Sequence, residues 1–407
     1  MLFNSIEFLI YFVLVTTVYF AVPNRWKWLY LLLASYYFYM CWQPKYIVLI
    51  LISTVIDYWA GRRMGDLEDK KRRRKYLLLS LAANLGLLFS FKYFNFFGDS
   101  FNAVLTALNS SYLVPHLTVL LPVGISFYTF QTLSYSIDVY YGQQKPQRHF
   151  GRFALFVAFF PQLVAGPIER SRHLLPQFNS PKGFDYARVT DGLKLMLWGL
   201  FKKAVIADRV AVFVVAVYDH PQDYTGWPLI LATVFFAFQI YCDFSGYSDI
   251  AIGSSKVLGI DLMDNFNRPY FSKSVAEFWK RWHISLSTWF RDYVYIPMGG
   301  SRVPRARLYF NLLFVFVVSG LWHGANWTFV IWGALNGFYL LFSIFSETFR
   351  ARWCALIGLD RRPLLHKYVK VAITFGLINF AWIYFRANTL ADAWYISTHL
   401  FSGLTDT

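Results

Sequence analysis

Leu321-Trp322-His323-Gly324-Ala325-Asn326-Trp327 separates two apolar runs, residues 308–320 and 328–344. Both runs read as helices in a bilayer, so His323 sits at or near membrane depth. An ionisable side chain there is costly and marks a functional site by default. A hydrogen-bonded histidine at a helix junction is the plainer reading, and residue type and depth alone do not separate the two. A second unusual stretch, Glu277-Phe278-Trp279-Lys280-Arg281-Trp282-His283-Ile284-Ser285-Leu286-Ser287, lies upstream. The rest of the chain reads as a scaffold that brings His283 and His323 to one passage.

Composition supports that scaffold. Of 407 residues, 57% are hydrophobic and only 15% charged, against about 25% charged in soluble domains. The apolar runs lack the alternation of barrel strands, which leaves an all-α polytopic membrane protein. Part of the aromatic excess, 15 Trp and 28 Tyr, suits the membrane interfaces. The net charge of +16 reads as basic loops that set orientation and meet anionic lipid, since no nucleic-acid motif accompanies it. Cys41, Cys242 and Cys354 have no ligand spacing, so neither a metal nor a disulfide is expected. The first 22 residues lack a basic leader and a cleavage site, so they read as a retained span.

Taken in order, residues 6–22, 28–42 and 46–60 are expected spans. The following segment, 61–75, carries Arg62, Arg63, Lys70, Lys71, Arg72, Arg73, Arg74 and Lys75. The positive-inside rule puts it in the cytoplasm and the N-terminus outside. Residues 77–97 cross outward, 98–116 form an outer loop, and 117–141 return. Residues 153–165 are too short to span and carry Pro161, so they read as re-entrant or interfacial. Residues 193–218 cross outward but hold Lys202, Lys203, Asp208 and Arg209, which must avoid lipid. Residues 228–242 return. Residues 276–292 fit one amphipathic helix with Phe278, Trp282, Leu286 and Trp289 as its stripe, and Ser274 with Glu277 as a capping box. Residues 371–385 form the last clear span, and 390–404 are a weaker amphipathic ending. No internal repeat or soluble domain is evident, so 1–407 reads as a single transmembrane domain. By this topology His283 lies near the cytoplasm and His323 at a different depth.

The chemistry follows from residue types. Two histidines 40 residues apart, with no nearby His or Cys partner, make a poor metal signature, and none is expected. A nucleophile elbow and a phosphate-binding glycine loop are both absent. A lone histidine can serve as general base on a hydroxyl. Acyl transfer to an alcohol needs such a base and a group to steady the oxyanion. His323 can supply the base, with Trp322 and Asn326 shaping its pocket. The run Asp243-Phe244-Ser245-Gly246-Tyr247-Ser248-Asp249 reads residue by residue as a helix terminus. As a cluster, Asp243, Ser245 and Tyr247 read as a cavity lining. Lys280, Arg281 and Arg291 form a basic cluster suited to an anionic donor.

These segments resemble the membrane-bound O-acyltransferase family, in particular its bacterial polysaccharide-acetylating branch. The resemblance rests on residues 121–130, 160–170 and 243–252, and on Asn265-Phe266-Asn267-Arg268-Pro269-Tyr270. It continues through residues 277–300 and 321–327. It runs in order from the N-terminus to at least Arg386, and the motifs are specific only together. It implies a ring of tilted helices with re-entrant or interfacial pieces around a thinned centre and tunnel. It places the catalytic histidine on His323 and the second motif histidine on His283. It also implies a cytoplasmic acyl-thioester donor such as acetyl-CoA, with no bound cofactor. The acceptor would be an exported polysaccharide of alginate, cellulose or peptidoglycan type, reached through a periplasmic partner of the SGNH-esterase type. The location would be the bacterial inner membrane. One departure is that many relatives continue into further spans after the last one found here.

Within the class, the alternative is D-alanyl transfer to teichoic acid-type polymers. Outside it, the histidines could relay protons in a transporter or flippase, though matching broken halves are not seen. A structural membrane subunit is the third reading.

Overall fold

The computed structural model describes residues 1–110, 112–164 and 166–404, and among them all regular structure is helical. The chain forms two compact units. The first is Met1–Leu200 with Tyr247–Met263, and the second is Phe201–Gly246 with Asp264–Thr407.

The first unit holds α1 (Ile6–Ala21), α2 (Lys27–Met40), α3 (Ile47–Gly65), α4 (Lys70–Ala107), α5 (Ile125–Tyr140), α6 (Phe150–Ala158) and α7 (Tyr186–Leu200). Expected spans 6–22, 28–42 and 46–60 correspond to α1, α2 and α3 within a few residues. The fourth is longer than expected. α4 begins inside the basic run and continues past Gly98 to Ala107, with a π turn at Phe89–Tyr93. Long lysine and arginine side chains favour helix, so charge alone does not stop it. The fifth is shorter. Residues 117–124 are not helical, because Pro122 and a left-handed Gly124 (φ 76°) precede the first turn of α5. A Cβ on Gly124 would also approach the Leu163 carbonyl oxygen to 2.7 Å.

One carboxylate shows how this unit tolerates polarity. Asp57 is fully buried on α3. It accepts hydrogen bonds from Ser80, from Ser136 at 3.0 Å and from Asn84 at 2.8 Å. Those donors come from α4 and α5, so the bonds tie three helices together. Residues 153–160 are enclosed by protein. From Phe153 to Phe160 every side chain has 0% exposure, which makes this segment core. Pro161 stops α6 and opens the one-turn helix Phe160–Leu163. Ala165, the end of the segment as read from sequence, lies outside the described residues.

α8 (Asp208–Tyr218) belongs to the second unit and follows a π segment, Phe201–Ala207. α9 (Trp227–Val257) has 31 residues, and the division between units falls within it, after Gly246. The polar run at 243–249 is therefore mid-helix and not a helix terminus. Continuing the helix satisfies every backbone amide, which a turn in apolar surroundings would not.

The second unit goes on through α10 (Val275–Arg281), α11 (Ile284–Phe290), α12 (Arg305–His323), α13 (Trp327–Phe345), α14 (Glu347–Leu356), α15 (Pro363–Arg386) and α16 (Leu390–His399). The single helix expected over 276–292 is two short ones, broken at Trp282-His283. All four stripe residues are nonetheless buried. Ser274 caps α10 by accepting from Glu277 N at 3.1 Å, while the Glu277 carboxylate takes the Lys273 amide at 2.8 Å. Among the described residues α4, α9, α12, α13 and α15 are long and apolar enough to cross a membrane, with α1 a shorter apolar helix.

α12 and α13 pack backbone to backbone. A methyl on Gly320 would overlap the Phe329 carbonyl, and one on Gly333 would overlap the Phe316 carbonyl. Small residues permit such close approach between helices in lipid. Backbone atoms cannot swing away, so Gly333→Leu should cost at least about 3 kcal/mol, the upper range for overpacking. Thermal unfolding in detergent should show a large loss for Gly333→Leu. It should show none for Gly86→Ala, where the space is open. Equal midpoints for the two variants would contradict the close packing.

Candidate active site

His323 is the last residue of α12, and the extended Gly324 (φ −159°) ends the helix behind it. The chain turns at once into α13. Asn326 caps that helix, its side-chain oxygen accepting from Thr328 N at 3.0 Å. Its amide nitrogen donates to the Asn388 carbonyl at 3.4 Å. These bonds place Asn326 as the residue that shapes the turn after His323.

The His323 ring is half-buried among aromatic rings from three helices. Its centroid lies 5.0 Å from Trp322, 5.1 Å from Trp332 on α13 and 5.4 Å from Phe385 on α15. Trp332 stacks on Trp382 at 5.7 Å and 14°. An imidazole in such a setting is shielded from bulk water on several sides while part of it remains reachable.

His283 lies beside it, with ring centroids 6.3 Å apart. The two histidines therefore share one site, which corrects the expectation of different depths. The break between α10 and α11 makes this possible. In one continuous helix the Ile284 amide would bond the carbonyl four residues back. Here it donates to the Asn265 carbonyl at 3.0 Å, and His283 takes a left-handed conformation (φ 43°). A non-glycine residue in that region is strained, and surrounding bonds must hold it. The Asn265 side-chain oxygen supplies them. It receives Ser285 Oγ at 2.9 Å and Ser285 N at 3.3 Å, and it lies 3.2 Å from His283 Nδ1. The Ser285 backbone donor fixes that atom as oxygen, so His283 Nδ1 carries the proton and Nε2 the lone pair. Phe244 meets the ring edge-on at 4.6 Å. Burial, and next the charge that His323 can carry, hold the His283 imidazole well below its usual pKa, in the neutral form.

The polar run of α9 divides. Asp243 is ion-paired to Lys203 at 2.5 Å, and Lys203 also reaches Asp208 at 2.8 Å. Ser245 accepts from the buried Lys202 at 2.9 Å. Both lysines come from the π segment. Tyr247 belongs to the first unit, where its hydroxyl donates to Asn4 at 3.3 Å. Lys280 is exposed. Arg281 pairs with Glu277 at 2.7 Å and Arg291 with Asp292 at 2.8 Å, so much of that cluster's charge is met locally.

Sequence reasoning missed Asn265, Trp332 and Phe385 as neighbours of the site. Asn265 had a signal, since it opens the polar Asn265-Phe266-Asn267 run after a long helix. Trp332 and Phe385 lie inside apolar spans and had none.

The neutral state of His283 has a measurable consequence. Below about pH 6.5 the unfolded histidine takes up a proton that the folded one refuses. The unfolded state then binds more protons, so stability falls as pH drops through that value. His283→Gln removes this contribution. The wild-type midpoint should lose more than the variant's on going from about pH 7.5 to about pH 5.5. Parallel losses would show that His283 protonates freely in the folded protein.

Comparison with known proteins follows the same residues. Residues 36–386 match the model of the MBOAT family, membrane-bound O-acyltransferases. The chain is 40% identical over 408 residues to the "Probable alginate O-acetylase AlgI" of Azotobacter vinelandii, covering 99% of this chain and 78% of that protein. It is 37% identical to the peptidoglycan O-acetyltransferase of Helicobacter pylori, over 96% of this chain and 76% of that protein. It is 26% identical to the teichoic acid D-alanyltransferase of Bacillus subtilis, over 65% of this chain and 68% of that protein. With a family match that runs through both units, this polytopic membrane protein belongs to the membrane-bound O-acyltransferase family and is an O-acyltransferase.

Proposed function

We propose that the protein transfers an acetyl group from a cytoplasmic thioester, acetyl-CoA, to hydroxyls of an exported polysaccharide, directly or through a periplasmic SGNH-type partner. The observation that carries this reading is the pairing of His283 and His323 at 6.3 Å inside an aromatic cage. The relatives named for alginate and peptidoglycan O-acetylation support the acetyl group and the polysaccharide acceptor. The D-alanyltransferase relative is more distant, which ranks that chemistry second. The two units act as one catalytic domain, which the family match across both supports.

In the proposed reaction, His323 accepts the proton of the acceptor hydroxyl as its oxygen attacks the thioester carbonyl. The new C–O bond forms, the C–S bond breaks, and the proton passes to the departing thiolate. His283, neutral, orients the reacting group through Nε2. Trp322 packs beside both rings and limits water. Asn326 holds the turn. Asp243 and Ser245, fixed by Lys203 and Lys202, line the approach, and Lys280, Arg281 and Arg291 draw in the donor's phosphates.

His323→Ala should lower acetyl transfer by about 10²–10⁴-fold, as loss of a general base does, with donor binding retained. Transfer in proteoliposomes beside donor titration measures both. Near-normal transfer would reduce His323 to a structural residue.

The direction of transfer requires an inner-membrane orientation with the N-terminus outside. The basic segment 61–75 and the part of 243–307 that lies between α9 and α12 then face the cytoplasm, and residues 108–116, after α4, face out. In a variant with Cys41, Cys242 and Cys354 replaced by serine, an impermeant thiol reagent on intact cells should label Tyr112→Cys and spare Glu68→Cys and Arg302→Cys. The reverse pattern would invert the model.

A further inference from the structure

The hairpin between α13 and α15 is built unlike the rest of the second unit. α14 (Glu347–Leu356) has no buried residue. Phe349, Trp353 and Leu356 fall on one helical face, with Ile357 continuing it. All four are exposed, Leu356 by 78%. Leu364, Leu365 and Tyr368, in the first turns of α15, are exposed as well. Around them stand Arg352, Arg361, Arg362, Lys367 and Lys370. Among the described residues none of these five side chains forms an ion pair. Arg350 differs, since its guanidinium is committed to Ser346 Oγ at 3.0 Å and the Ser343 carbonyl at 2.7 Å, bracing the end of α13.

We infer that this hairpin is a binding site for the headgroups of anionic phospholipid. The argument is one of charge and place. α14 lies directly between two helices long and apolar enough to cross a membrane. A short helix there with an apolar stripe, a tryptophan on the stripe and cations along its edges lies in the interface plane. Trp353 and Tyr368 sit at headgroup level, as such rings do. The stripe enters the acyl boundary and Arg352, Arg361, Arg362 and Lys367 meet phosphates. A protein partner would need an acidic face with hydrophobic pockets fitted to a stripe that already belongs beside lipid. A free phosphate would bind the cations but leave the apolar stripe unused.

The test uses the full chain in detergent, with bound lipid counted by native mass spectrometry after equilibration with phosphatidylglycerol or phosphatidylcholine. The wild type should retain phosphatidylglycerol preferentially. Each cation removed should weaken that retention about fivefold. The quadruple variant Arg352→Gln, Arg361→Gln, Arg362→Gln, Lys367→Gln should lose the preference. A matched control that neutralises Arg72, Arg73, Arg74 and Lys75 should lose less. Phe349→Ser with Trp353→Ser should also lower retention, and inorganic phosphate should not compete, which separates lipid from free anion. Size by light scattering supplies a second measurement. A quadruple variant that keeps full phosphatidylglycerol preference would overturn the proposal. So would a wild-type dimer that Trp353→Glu converts to monomer with lipid retention unchanged, because the face would then belong to a second copy.

Discussion

A polar group taken out of water without a partner costs several kcal/mol, and in a scaffold this apolar that penalty governs where side chains go. Asp57 is tolerated because three donors from two other helices surround it. Asn265 is tolerated because its carbonyl and side-chain oxygen both serve the α10–α11 junction. That junction then decides the site. Were the Ile284 amide free to bond within a continuous helix, His283 would not need its left-handed conformation. Its ring would then leave the direction that meets His323. One buried asparagine thus converts an ordinary amphipathic segment into a holder for an imidazole.

The aromatic cage works by a different principle. Trp322, Trp332, Trp382 and Phe385 bring large area with few rotatable bonds, and their stacked and edge-to-face contacts fix the rings relative to one another. An imidazole held this way needs little hydrogen bonding to stay in place. The same rings limit how much of it water can reach. The close Gly320–Gly333 contact serves the same end, since it sets how near Trp332 on α13 comes to the end of α12.

Much of this was legible in the sequence, and the limits have physical causes. The helical membrane class followed from composition and run length; His323 stood out because ionisable groups are rare between such runs, and His283 because it sits in an aromatic and basic stretch unlike them. Phe278, Trp282, Leu286 and Trp289 were read as the apolar stripe of one amphipathic helix; they are buried together, but the break among them was not foreseen. A break made by a distant asparagine leaves no mark on local periodicity. The same holds for α9, where a polar run resembles a helix end although the backbone continues through it. α4 was read too short at its start because charge was taken as a boundary, whereas lysine and arginine are good helix formers, and at its end because Gly98 was taken to open a loop. Trp332 and Phe385 look like any other apolar residue until the chain is folded around His323.

The π segment Phe201–Ala207 has a consequence for how this chain can change. A π turn holds one residue more than the α-helix it interrupts, so it acts as a register shifter. Everything beyond it is rotated about 100° from where a regular helix would put it. Lys202 and Lys203 reach Ser245 and Asp243 from within that shifted stretch. A chain lacking one residue there would still close all its backbone hydrogen bonds. It would pass as an equally good helix by any measure of propensity, yet carry the lysines round to another face. The segment is thus exposed to a kind of damage that no substitution scan detects, the loss of a single residue whose identity hardly matters.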